Sequence, residues 1–129
     1  MDPVKFVVAD AGEQKSGTYR AMLRDENGQP IGALVLVSLT LSLYDLRTLT
    51  TINSRGPGQS VLNANQVTLD ALGTLTWTWL PADMTILNPN LQVEEHVALF
   101  EAKWFDVNVN PRQANHEVHF LVNRIPQLT

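Results

Sequence analysis

The stretch ALVLVSLTLSLYD, residues 33–45, decides the fold. Val35, Val37, Leu39, Leu41 and Leu43 take every second position, and Ser38, Thr40, Ser42 and Tyr44 take the places between. A period of two puts one apolar row on one face of an extended strand and a row of hydroxyls on the other. Wound as a helix, the same residues would scatter both sets around the cylinder, and β-branched and hydroxyl residues are mediocre helix formers. The stretch is therefore a long strand lining a core, and the rest of the chain must supply the opposite wall.

Three further segments share that period. In TLTWTWL, residues 74–80, Leu75, Trp77 and Trp79 face one way and three threonines the other. Residues 94–105 carry Ala98, Phe100, Ala102 and Trp104 in one row, small and large by turns, as the inner face of a sandwich requires. Residues 116–124 place Val118, Phe120 and Val122 inward. Weaker alternation marks 18–23, a short strand is expected around 51–54 and another before Asp70, and residues 81–84 suit one helical turn. Asn27-Gly28 reads as a two-residue hairpin loop, Leu72-Gly73 as a hairpin turn, and residues 106–115 as a long loop. No segment sustains a period near 3.6. Seven to eight strands with a turn signal about every ten residues predict an antiparallel β-sandwich. Uneven strand lengths and long connections favour a sandwich over a closed barrel.

The chain has 129 residues, enough for one domain. Residues 1–16 read as an extended N-terminal arm and 17–129 as the sandwich. With 9 Lys plus Arg against 13 Asp plus Glu, and the arginines dispersed, no basic face for nucleic acid is expected. Cysteine is absent, which removes disulfides and thiolate chemistry. No stretch reaches the ~20 apolar residues that span a bilayer, so a soluble protein without a membrane partner is expected.

Chemistry finds little support. His116 and His119, three apart on one strand, point to opposite faces, whereas the pairs Glu117/His119 and Glu94/His96 each share a face. Two residues fall short of a metal site, and these histidines are expected at the rim or in solvent. Glu101 reads as an outward charge, Asp45 and Asp70 as turn caps. The glycines of RGPGQS, residues 55–60, match no phosphate-binding pattern. No catalytic residue, metal ligand or cofactor is predicted, and the chain is not expected to be an enzyme. Trp77, Trp79, Trp104 and Tyr44 are candidates for a sugar platform, although packing is the plainer use of such rings. Candidate assembly contacts are Phe6, Val7 and Val8 in the arm, with Leu34, Leu36, Val97 and Leu99, which the alternation places outward.

Several motifs carry a resemblance. Leu43-Tyr44-Asp45, then Ile52-Asn53-Ser54-Arg55, then Val61-Leu62-Asn63-Ala64-Asn65, then Leu75-Thr76-Trp77 resemble small virion proteins of tailed bacteriophages encoded among the head and neck genes. The strand–Tyr-Asp–Ile-Asn-x-Arg order is also similar to the immunoglobulin-like domain that begins phage baseplate upper proteins. The likeness covers residues 18–125. The chain departs from the pattern in residues 46–49, which lack the usual glycine, and in the longer loop at 105–115. The resemblance implies an immunoglobulin-like sandwich and a structural protein made in the host bacterial cytoplasm and built into the virion. There it would decorate the capsid or join head to tail in the neck, in several copies, against major capsid, portal or neck proteins. The alternative is a carbohydrate- or host-surface-binding module on an accessory fibre.

Overall fold

A computed structural model describes residues 15–25, 27–88 and 90–124, and residues 4–12 as backbone. Its strands are β1 (Val4–Gly12), β2 (Gly17–Met22), β3 (Leu36–Asp45), β4 (Gln59–Ser60), β5 (Val67–Leu69), β6 (Thr74–Trp79), β7 (Val93–Phe105) and β8 (Pro111–Asn123), with one 3₁₀ turn at Pro81–Met84. One sheet has the order β1-β8-β7-β3-β4 and the other β2-β6-β5. All pairs are antiparallel except β1 with β8. Two facing sheets with this order, the first strand running parallel along the last, form an immunoglobulin-like β-sandwich.

The core lies between the sheets. From the larger sheet come Leu39, Leu41 and Leu43, the row Ala98, Phe100, Ala102, Trp104, and Val118, Phe120 and Val122. From the smaller come Val67, Leu69, Leu75 and Trp77. Trp77 meets Phe100 and Phe120 edge-on, with ring centroids 5.9 and 5.5 Å apart, the arrangement that aromatic quadrupoles favour. The alanines beside Phe100 leave room for that indole.

The start of β3 corrects the simple alternation. Its pairing with β7 shifts between Leu36 and Ser38, so Leu36 lies opposite Trp104 and Leu39 opposite Ala102. The extra residue turns Leu36 inward and Val37 outward, as a β-bulge does. Val35 and Val37 are exposed, Val37 by 61%, and Leu36 belongs to the core.

The loops correct other readings. Residues 106–110 form a tight turn, and β8 begins at Pro111, so no long loop exists there. The hairpin at Asn27-Gly28 is not a two-residue loop. Asp25 closes it against Gln29, and of Asn27 and Gly28 only glycine has positive φ. Thr51 makes a single bridge to Tyr44, and the strand next to β3 lies further on, at Gln59–Ser60.

Candidate functional site

Three turns gather at one end of the sandwich, where β2, β5 and β7 finish and β3, β6 and β8 begin. They are residues 25–29, 70–74 and 106–110, and they are built alike. In each, the first residue is an aspartate whose Oδ1 accepts two backbone N–H groups at 2.9 Å: Asn27 and Gln29 for Asp25, Leu72 and Thr74 for Asp70, Asn108 and Asn110 for Asp106. In each, the fourth residue donates its N–H to the carbonyl of that aspartate. The fourth residue is also left-handed: Gly28 at φ 78°, Gly73 at 92°, Val109 at 62°. Glycine suits that place because it lacks a Cβ. Valine does not. Val109 is the single β-branched side chain with positive φ among the described residues, and it is 74% exposed.

Apolar side chains crowd this end. Among the described residues thirteen large apolar side chains are exposed, and eight belong to this end: Met22, Leu34, Val35, Val37, Leu72, Phe105, Val107 and Val109. Leu34 and Val107 are 91% and 97% exposed. Gly32 seats the 31–35 segment directly on the 70–74 turn, since a Cβ there would lie 2.1 Å from the Ala71 carbonyl oxygen. The pairing of Leu36 with Trp104 brings the same segment to the end of β7. On the outer face below, a groove of about 430 Å³ is lined by Val37, Trp104, Phe105 and Pro111, with Lys103 and Arg112 at its side. An apolar end of this kind is suited to holding a protein surface, because scattered apolar residues are ordinary but a cluster is not.

The sequence-predicted contacts are dispersed. Leu34 is at this end and open. Leu36 and Val97 are buried, contrary to expectation. Leu36 was displaced inward by the bulge, while Val97 does lie in the outer row of β7, in register with Tyr44 and His119 on the strands either side. Leu99 is half-buried on that face. The side chains of Phe6, Val7 and Val8 lie outside the described residues. The backbone of β1 pairs with β8 of the same chain.

The histidines are not at the rim. His96, His116 and His119 are all buried. His116 points between the sheets and bonds the Tyr19 hydroxyl. Burial lowers the His116 imidazole below its ordinary pKa and pushes the Tyr19 hydroxyl up to about 12. His119 lies on the outer face between Glu95 and Glu117, the latter 2.6 Å from Nε2. Glu94 and His96 pair at 2.7 Å on the inner row. The two carboxylate–imidazole pairs thus occupy opposite faces of the sheet and do not meet. Trp77 and Trp104 are packed in the core, which removes them from any sugar platform, and Trp79 is part-buried against the core. Glu101 lies in the outer row and accepts a hydrogen bond from Gln113.

The Ile52-Asn53-Ser54-Arg55 motif has a packing role that its sequence did not disclose. Ile52 is in the core. Arg55 Nε donates to Asp83 Oδ1 at 2.6 Å and Asn53 Nδ2 to the same oxygen at 2.8 Å. The other guanidinium nitrogens donate to Gln59, to the Asn65 carbonyl and to Gln66, and the guanidinium carbon stands 5.8 Å from the Trp77 ring centre. No family model, curated protein or solved structure matches the chain.

Proposed function

We propose that this domain is a non-enzymatic structural protein of a tailed phage particle, decorating the capsid or forming part of the neck, and that it docks through the apolar end. Val109 carries the reading. A β-branched side chain at positive φ costs about 1–2 kcal/mol, and the two sister turns avoid that cost with glycine. A strained residue that is also exposed points to selection for what it touches. The virion placement rests on the resemblance of residues 18–125, and the mode of contact rests on the loops. Repeated copies on a lattice would let a modest contact hold through multivalency.

Quantitative mass spectrometry of purified particles should find the protein at a fixed copy number, about a dozen for a neck ring and hundreds for a capsid decorator. Val107→Ser with Val109→Ser should remove it from particles while leaving its thermal unfolding unchanged or raised. Absence of the wild-type protein from purified particles would overturn the proposal. The fibre-module alternative needs open aromatic faces, and the burial of Trp77 and Trp104 leaves it less support.

A further inference from the structure

At the opposite end of the sandwich, the inner row of β7 opens with Glu94 and His96. Asp45, the last residue of β3, is the strand partner of His96. One donor atom of each residue lies within 4.8 Å of the other two. Asp45, Glu94 and His96 are only 3%, 3% and 0% exposed. Two carboxylates in an apolar interior require compensation. For Glu94 it is nearly complete: Oε1 accepts the Leu87 N–H at 2.9 Å and lies 2.7 Å from His96 Nε2, and Oε2 accepts the Asn88 N–H at 3.0 Å. Asp45 is only half served. Its Oδ2 accepts the Thr48 N–H and hydroxyl at 3.0 and 2.7 Å. Among the described residues, Asp45 Oδ1 and His96 Nδ1 have no partner.

We propose that Asp45, Glu94 and His96 bind one divalent transition-metal ion, with Zn²⁺ the best match. Zn²⁺ binds both imidazole nitrogen and carboxylate oxygen, and three protein ligands leave it a fourth position open. Ca²⁺ asks for 6–8 oxygens and Mg²⁺ for a near-ideal octahedron, usually keeping several waters, and this cluster offers neither. His96 Nε2 and Glu94 Oε1 face each other, so an ion held by all three residues would sit between them in place of that hydrogen bond, with Asp45 Oδ1 as the unpartnered third donor. Zn–ligand bonds of about 2.0–2.2 Å require the donors to draw in by roughly 1 Å. The outer supports already stand: Thr48 fixes Asp45, and the Leu87 and Asn88 amides fix Glu94. Two clefts, of about 300 and 330 Å³, both reach Asp45 and Glu94 from the surface and share Arg47 and Leu91 as walls. They are the access route. A bound ion would tie the turn after β3 to the long β6–β7 connection.

The test uses the whole chain, stripped with a chelator and titrated with ZnCl₂ by calorimetry and thermal unfolding. One ion per chain should bind, and at a hundredfold excess over Kd the melting temperature should rise by roughly 10 °C. CoCl₂ should give the visible absorption of a four-coordinate ion. Asp45→Asn should weaken Zn²⁺ binding by at least tenfold, yet leave the metal-free protein as stable as wild type or more so, since one of two buried carboxylates is neutralised. His96→Gln should also abolish the shift. His119→Gln, on the other face of the sheet, should keep it. The proposal fails if Zn²⁺ up to 1 mM produces neither heat nor a melting shift, if Ca²⁺ stabilises where Zn²⁺ does not, or if Asp45→Asn retains wild-type affinity. Should His96→Gln not fold, Asp45→Asn still decides. None of these outcomes depends on assembly into particles.

Discussion

The two ends of the sandwich solve the same problem in opposite ways. Each must hold loops that a sheet does not hold for itself. At the end bearing residues 45–50 and 80–92, charge goes inside: Asp45, Arg55, Asp83, Glu94 and His96 are buried there, and of these Arg55 with Asp83, and Glu94 with the Leu87 and Asn88 amides, tie separate segments together. At the end bearing residues 25–35, 70–74 and 106–110, each turn is closed locally by its own aspartate. Its large apolar side chains are left outside. The difference teaches where freedom lies. Loops cross-linked by buried charges cannot change without cost to the fold. Loops that close on themselves can vary at their tips, and that is where recognition belongs.

Breaking the charged end should therefore cost most. Asp83→Ala leaves the Arg55 guanidinium buried with its ionic partner gone, and removing one member of a buried pair costs about 3–5 kcal/mol. Urea unfolding should show the midpoint falling by that equivalent. The 80–92 connection should also become open to protease, because Asp83 Oδ2 accepts the Leu80 N–H as well. A loss under 1 kcal/mol would erase the contrast between the ends.

Between the ends, the burial of Tyr19 and His116 makes stability depend on pH from both sides. The folded His116 pKa lies below the ordinary 6.5, so the unfolded chain takes up the proton first, and stability present above about pH 6.5 is lost as pH falls. The folded Tyr19 pKa lies near 12 against 10, so stability present below about pH 10 is lost as pH rises toward 12. The effect should be smaller than loss of the ion pair, since it biases a proton equilibrium and removes no partner. His116→Phe should flatten the acid limb between pH 5 and 7 and leave the alkaline one; an unchanged acid limb would assign it elsewhere.

The sandwich was legible because its inner rows keep strict period: Leu39, Leu41 and Leu43 alternate with hydroxyls, and Ala98, Phe100, Ala102 and Trp104 recur at every second place, with Glu101 and Lys103 between the last three. Where apolar residues run together, at Leu34, Val35, Leu36 and Val37, alternation offers two registers, and only the partner strand chooses between them. Two of the three aspartate turns showed glycine at the fourth place. The third carried Val109 there and so read as a long loop. Arg55 looked like a loop residue because its acceptors Asp83, Asn65 and Gln66 lie 10 to 28 positions away. The histidines differ: the pairs Glu94/His96 and Glu117/His119 are visible as i, i+2 neighbours, but their burial depends on what packs over them, including Glu95 for His119 and Tyr19 for His116, 24 and 97 positions away.

The smallest expected effect tests the recognition end most directly. Gly28 and Val109 occupy equivalent places, and a Cβ at Gly28 would meet nothing within 4 Å. Exchanging the two residue types therefore isolates backbone strain from packing. Val109→Gly relieves about 1–2 kcal/mol of left-handed strain and adds about 0.4–1 kcal/mol of chain entropy to the unfolded state, for a net gain of roughly 0.5–1 kcal/mol. Gly28→Val reverses both terms and should lose a similar amount. If valine at 109 serves a contact, the stabilised Val109→Gly protein should bind particles more weakly than wild type, whereas Gly28→Val should bind as wild type does. Gain of stability with loss of binding marks a residue kept for its partner. Equal binding by both variants would make Val109 an accident of the turn and move the contact surface elsewhere.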